Sequence, residues 1–285
     1  MELERFYQAK QAEIAALERM DVPEPWPLPR PSFLQALEGG RGGPLPVVAE
    51  FKRASPSRGS ICENLEPEEA AREYIENGAS ALSILTEETY FHGHLSFIRR
   101  IAAMMETERA LDGDGLAHGK EMAFLPSVPM LRKDFLFHPA QIAATLATPA
   151  SALLLIVRLT PDARVLRDLR EQAERGGVQA VVEVFSAGDL ALARESGARI
   201  IQVNARDLET LKVDREACLR FIGEQPPRGN ERWIAASGMS CREDLEAAAA
   251  AGYHAALVGS ALMEHGTPGA DLRRLLRGRG GEDVD

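Results

Sequence analysis

"SGARIIQVN", Ser196 to Asn204, sets a glycine just ahead of an apolar run of strand length. Gly197 suits the left-handed conformation just past a helix end. Ile200, Ile201 and Val203 suit a strand covered on both faces, as parallel strands are. The same order returns in "NGASALSIL", Asn77 to Leu85, and in "AGYHAALVG", Ala251 to Gly259. A helix that ends in glycine and runs straight into a strand, repeated in this way, marks a chain built of βα units.

Outward from that stretch, eight runs of this kind can be read: "PVVAEF", "ASALSIL", "VPMLRK", "SALLLIV", "QAVVEV", "ARIIQVN", "RWIAAS" and "HAALVG". Helix punctuation lies between them, with Pro67 then Gly78, Thr160-Pro161 then Gly176, Ser186 then Gly197, and Ser240 then Gly252. Ser and Thr supply N-cap oxygens, and proline is tolerated in a first turn. "SCRE", Ser240 to Glu243, reads as a capping box. No GxGxxG turn follows the first run, which argues against an open dinucleotide-binding sheet. The pattern predicts an α/β protein, a single (β/α)8 TIM barrel over residues 45–277.

Residues 1–44 read as an N-terminal helical extension laid over one barrel end: an amphipathic helix in "FYQAKQAEIAALERM", a proline-rich connector in "DVPEPWPLPRP" and a short helix in "SFLQALEGG". Residues 278–285 read as a flexible tail. The stretch from Met104 to Pro126 is less regular, with "LDGDGLAHGK" as a loop.

A chain of 285 residues is long enough for such a barrel or for two ordinary domains. Its formal net charge of −10, with no long run of Lys or Arg, disfavours nucleic acid or an anionic membrane as partner. The first residues mix charges through their apolar positions and lack a signal peptide's apolar core. No window is apolar enough to span a membrane. Cys62, Cys218 and Cys241 show no paired metal spacing, and the histidines show no ligand pattern. These features predict a cytoplasmic, reduced protein with a small-molecule partner.

In a barrel of this kind the active site gathers at the C-terminal ends of the strands. The polar residues there are Glu50 and Lys52, Thr86, Arg132 and Lys133, Arg158, Glu183, Asn204 and Arg206, Ser237 and Gly238, and Gly259 and Ser260. Charges at so many strand ends suit a ring around one polar ligand. Gly238 and Gly259 would let backbone N–H groups approach an anion, with Ser237 and Ser260 as hydroxyl donors, in the manner of a phosphate cup. Plainer readings also exist. Glu50 with Lys52, or Lys133 with Asp134, would serve as structural ion pairs, Asn204 as a cap, and Phe91 and Phe135 as core.

The motifs "AEFKRASPSRG", "LTEETYFHG", "LRKDF", "VEV", "VNARDLETLKVD", "SGM" and "LVGSALM", in that order, resemble the indole-3-glycerol phosphate synthase family of tryptophan biosynthesis over nearly the full length. The resemblance implies a lyase that converts 1-(2-carboxyphenylamino)-1-deoxyribulose 5-phosphate to indole-3-glycerol phosphate with loss of carbon dioxide and water, with neither metal nor cofactor. It implies Lys133 as general acid at the carbonyl, its pKa lowered by burial or by cationic neighbours such as Arg132 and Lys52. Lys52 would hold the substrate carboxylate, Glu50 orient the lysines, and Glu183 act in dehydration. Asn204 and Arg206 would flank the substrate, Phe91 and Phe135 its ring, and Ser55, Ser237, Gly238, Gly259 and Ser260 its phosphate. A monomer or weak homo-oligomer is implied, with association with other enzymes of the pathway left open.

The chain also departs from the family pattern. Ala236 stands where a glutamate is usual, Ala205 where a polar residue is frequent, and His92 where an amide is common, and the loop near Asp112 to Lys120 is longer. Two alternatives therefore stay open: an isomerase of a related aminated ribose phosphate on the same scaffold, and a diverged phosphosugar-binding barrel of reduced activity.

Overall fold

The computed structural model describes residues 2–39, 43–56, 59–62, 64–113, 127–206 and 214–278. Among them, eight parallel strands close into a barrel, each bonded to the next and the last to the first. They are β1 Val47–Phe51, β2 Ala81–Leu85, β3 Met130–Leu136, β4 Ala152–Ile156, β5 Gln179–Val184, β6 Ile200–Asn204, β7 Arg232–Ala236 and β8 Ala255–Val258. Helices α1 Glu2–Leu17 and α2 Phe33–Ala36 precede β1. A helix then follows each strand: α3 Pro67–Glu76, α4 Ser96–Gly113, α5 Pro139–Leu146, α6 Ala163–Arg175, α7 Ala187–Glu195, α8 Arg215–Glu224, α9 Arg242–Ala251 and α10 Pro268–Arg277. The architecture is the (β/α)8 barrel expected from the apolar runs.

Strand alternation divides the core in two. Outward residues such as Phe51, Ile84, Leu153, Val182, Ile201 and Trp233 pack against the helix ring, where α6 contributes Leu166, Leu169 and Ala173 from one face. Each such side chain, fully buried, contributes about 1.5–3 kcal/mol of hydrophobic stabilisation. Inward residues Val48, Ala81, Leu131, Leu154, Val181, Ile234 and Ala255 fill the lower barrel. Above that apolar floor the inward positions turn polar, and they form the site.

The segment before β1 covers both barrel ends rather than one. Around α2, Phe33 and Leu37 plug the N-terminal end, both essentially without solvent exposure. The Leu34 N–H donates to Gln179 Oε1 at 3.0 Å, and Arg232 pairs with Glu38 at 2.8 Å, so α2 is tied to the starts of β5 and β7. At the opposite end α1 lays a stripe of Phe6, Lys10 and Ile14, spaced as one helical face, on the strand termini. The connector runs down the wall between them. There Trp26 N–H donates to Leu146 O at 2.8 Å, and Arg30 donates to Leu146 O and Thr148 O at 2.7 and 3.0 Å.

Several local expectations need correction. The N-cap of α6 is Asp162, which accepts from the N–H groups of Arg164 and Val165, and not Thr160. The cap of α9 is Cys241, and Asp244 closes the turn by accepting from Ser240 N, Ser240 Oγ and Cys241 N. Met104 to Gly113, read as irregular, continues α4. The rest of the loop expected before β3, and the tail from residue 279 on, lie outside the described residues. Among the described residues no helix is long and apolar enough to cross a membrane.

Candidate active site

A cavity of about 550 Å³ opens at the C-terminal ends of the strands. Its wall includes Glu50 on β1, Lys52 and Ser55 after it, Phe91 after β2, Lys133 and Phe135 on β3, and Glu183 on β5. Asn204 follows at the end of β6 and Arg206 beyond it, Ser237 and Gly238 after β7, and Gly259 and Ser260 after β8. Of the strand-end ring expected from the sequence, all but Thr86, Arg132 and Arg158 line this one cavity, and Ser55, Phe91 and Phe135 join them. A smaller cavity of about 300 Å³ lies on the outer wall among Trp26, Pro29, Met105 and Val128, away from these polar groups.

Strand alternation decides which neighbours reach the cavity. On β3, Leu131, Lys133 and Phe135 face inward, whereas Arg132 and Asp134 face the helix ring. Pairing with β4 slips between Arg132 and Leu136, a bulge at the very residues that carry Lys133 into the cavity. Arg132 is therefore no neighbour of Lys133 inside the site, contrary to expectation. Its guanidinium donates to Thr86 Oγ1 at 3.1 Å, Thr145 Oγ1 at 2.8 Å and Asp134 Oδ2 at 3.0 Å. Thr86 belongs to the same buried cluster, donating to Asp134 Oδ2 at 2.6 Å. Arg158 also leaves the expected ring; it pairs with Asp189 at 3.3 Å and lies over Phe185.

Lys10 of α1 enters that cluster. Its Nζ lies 2.7 Å from Asp134 Oδ1 and 2.6 Å from Glu13 Oε2, while Arg132 reaches Glu13 Oε1 at 3.4 Å. Burial alone would push the Asp134 carboxyl up, but Arg132, Lys10 and Thr86 together hold it below its ordinary value. Burial pulls the Lys10 ammonium down, and Asp134 and Glu13 more than reverse this, so it titrates above its ordinary range. An acidic and basic pair from α1 is thus fastened to the strand that carries Lys133.

Inside the cavity, Lys52 Nζ lies 3.2 Å from Glu50 Oε1, and Ser83 Oγ donates to Glu50 Oε2 at 3.4 Å. Glu50 is buried, which alone would raise its pKa; Lys52, Lys133 and Ser83 outweigh that and set it below the usual value. The structural ion pair and the site reading of Glu50 and Lys52 therefore coincide. Gly259 makes room for this carboxylate, since a Cβ there would stand 2.5 Å from Glu50 Oε1.

Across the cavity Asn204 Oδ1 accepts from Ser237 Oγ at 2.8 Å and from Arg206 N–H at 2.9 Å, so Asn204 both caps its own loop and fixes the next one. That next loop is strained: Ser237 and Gly238 have φ of 68° and 81° in succession, and Ser237, unlike glycine, adopts this at a cost. Two consecutive residues of this kind turn the backbone after β7 sharply into the cavity.

The aromatic side is larger than the sequence indicated. Phe135 stacks on Phe6 of α1 with ring centroids 4.2 Å apart, Phe91 lies 6.2 Å from Phe135, and Tyr90 meets Phe6 edge-on at 5.2 Å. Phe91 is held by Glu87, whose carboxylate accepts from the N–H groups of Thr89, Tyr90 and Phe91 at 2.9, 2.7 and 3.1 Å. Sequence reading missed Phe6 and Gln202. Gln202 is a polar residue within an apolar run, two positions before Asn204 and so on the same inward face.

This geometry supplies two lysines beside a carboxylate, a separate buried glutamate, an aromatic wall and glycine-bearing turns in one enclosure. Solved structures of similar fold include 3-hexulose-6-phosphate synthase from Salmonella typhimurium, with TM-score 0.54, 14% identity, and coverage of 81% of this chain and 96% of that one. Thiamine phosphate pyrophosphorylase from Pyrococcus furiosus gives 0.52 and 16%, covering 82% and 94%. At such identities the likeness is one of fold. Sequence relatives are nearer. Indole-3-glycerol phosphate synthase of Koribacter versatilis is 40% identical over 230 residues, 81% of this chain and 79% of the relative. That of Mycolicibacterium vanbaalenii is 36% identical over 269 residues, 93% and 90%. With the indole-3-glycerol phosphate synthase family model also matching residues 3–275, the chain belongs to that family.

Proposed function

We propose that this barrel closes the indole ring of 1-(2-carboxyphenylamino)-1-deoxyribulose 5-phosphate, releasing carbon dioxide and water, as a carbon–carbon lyase of tryptophan biosynthesis. The observation that carries this reading is the convergence of Lys52, Lys133, Glu183 and the turns after β7 and β8 on one cavity at the strand ends.

Lys133 donates a proton to the ribulose carbonyl oxygen as the carboxylate-bearing ring carbon bonds to the carbonyl carbon. Glu50, held ionised between Lys52 and Lys133, keeps both ammonium groups turned into the cavity. Lys52 grips the substrate carboxylate until carbon dioxide leaves and the ring regains aromaticity. Glu183 then takes a proton from the new ring as the hydroxyl, protonated by the Lys52 ammonium, departs as water. Ser55, Ser237, Gly238, Gly259 and Ser260 bind the phosphate, and Asn204 and Arg206 line the sugar chain. Phe91 and Phe135, with Phe6, hold the aromatic ring against the carbonyl and keep water out.

Mixing the protein with this substrate and following indole fluorescence tests the reading, with Lys133→Ala and Glu183→Gln as controls. Turnover that collapses in both variants supports it and shows that Ala236 is tolerated. Binding without turnover favours the diverged phosphosugar-binding barrel instead.

A further inference from the structure

Gln202 stands one inward position below Asn204 on β6, in register with Glu183 of β5 on one side and Ile234 of β7 on the other. It is fully buried, and it borders the cavity. Its Nε2 donates to Glu183 Oε2. An ionised carboxylate only accepts, so this bond fixes which way the amide faces. The other end, Oε1, is left buried with no hydrogen-bond partner among the described residues.

Buried side-chain acceptors are nearly always paired, and an exception calls for a reason. The apolar groups of the cavity wall include Ile156, in register with Glu183, and Ala236 and Leu257, in register with each other beside Asn204, and none of them can donate to that oxygen. Ala236, which leaves β7 without a polar side chain next to Asn204, gives β6 the polar work of that quarter of the cavity. An acceptor held in place beside a carboxylate, in a residue that borders a ligand-sized space, is preorganised for a donor that arrives with the ligand.

We infer that Gln202 is a substrate-positioning residue: its amide N–H holds Glu183 in orientation for proton removal, and its carbonyl oxygen accepts a hydrogen bond from an O–H or N–H of the bound substrate. The inference rests on the synthase reading. The other charged groups that face this space are Glu50 and Lys52 from β1, Lys133 from β3, Arg206 beyond β6 and Glu264 beyond β8.

Gln202→Met keeps the volume and removes donor and acceptor together; Gln202→Glu keeps an acceptor but sets a second carboxylate against Glu183. The measurement is kcat and KM for 1-(2-carboxyphenylamino)-1-deoxyribulose 5-phosphate across pH, with Tm recorded for each protein. Gln202→Met is expected to keep Tm and to lower kcat about 10- to 100-fold. It also moves the acid limb of the kcat profile to higher pH, because a carboxylate that loses a donor is less favoured in its charged form. Gln202→Glu moves that limb further in the same direction, and it decides the matter by itself should Gln202→Met fail to fold. A Gln202→Met enzyme within about twofold of wild-type kcat, with its acid limb unmoved, overturns the inference alone. Wild-type protein that makes no indole-3-glycerol phosphate overturns the synthase reading and the inference with it.

Discussion

The carboxylate of Glu50 occupies the space in which Gly259 would carry a side chain: a Cβ built there stands 2.5 Å from Glu50 Oε1 and 3.2 Å from its Cβ. The eighth strand therefore ends in glycine for the sake of the first strand's glutamate, as well as for any anion at the turn. Gly259→Ala is expected to displace Glu50 from Lys52 and lower kcat/KM about 100-fold. The overpacking itself costs about 1–3 kcal/mol. Kinetics paired with urea unfolding check both, and a fully active Gly259→Ala enzyme would show that Glu50 needs no fixed place.

Phe6 brings the N-terminal helix into the aromatic wall of the cavity by stacking on Phe135. Phe6→Ala removes ring contact without touching a proton donor or acceptor, so KM should rise about tenfold while kcat stays within about threefold. Steady-state kinetics decide it. An unchanged KM would confine Phe6 to packing.

Asp134 and Glu13 are both shared by Lys10 and Arg132, themselves buried, and Asp134 is the more deeply buried of the two acids. Removing one partner of a buried ionic cluster strands the rest, and Asp134→Asn is expected to cost about 3–5 kcal/mol of stability. Urea titration monitored by circular dichroism gives the figure. A loss below about 1 kcal/mol would mean that water reaches Lys10 and Arg132 despite their burial.

The same cluster carries a pH signature. The folded protein holds the Asp134 proton more weakly than an unfolded chain would, so its contribution is complete above the ordinary carboxylate value of 3.8 and is lost as pH falls through the lower folded value. Lys10 acts in the opposite sense: its contribution is complete below 10.5 and fades as pH rises beyond. The Tm gap between wild type and Asp134→Asn should be level from about pH 5 to 9 and narrow as pH falls below the ordinary carboxylate value of 3.8. A gap that stays constant down to about pH 2 would remove Asp134 ionisation as its source.

The barrel was legible because parallel strands buried on both faces must be apolar along their length, and "SGARIIQVN" and its counterparts are. The candidate site was legible where a polar residue falls at or next to the end of such a run, as at Glu50, Glu183 and Asn204. Reading failed where the two faces of a strand differ. Arg132 and Lys133 are adjacent in sequence and point to opposite sides of β3, so proximity along the chain misled where alternation would have separated them. The ion cluster between α1 and β3 joins residues distant in sequence, Glu13 and Arg132 being 119 positions apart and Lys10 and Asp134 further still, and no local pattern announces such a meeting. Gln202 was readable in principle, two residues before Asn204, but it sat inside a run taken as apolar.

The segment that spans both ends of the barrel also sets an order of events in synthesis. Residues of α1 and α2 emerge from the ribosome well ahead of everything they grip: Leu34 bonds to a residue 145 positions later, and Glu38 to one 194 positions later. The helix that bears Phe6 and Lys10 has no dock until β3 exists, and α2 has none until β5 and β7 do. What the ribosome delivers early must wait through most of translation as an undocked strand of chain. The aromatic wall of the cavity accordingly waits for β3, and the plug of the opposite end for β7.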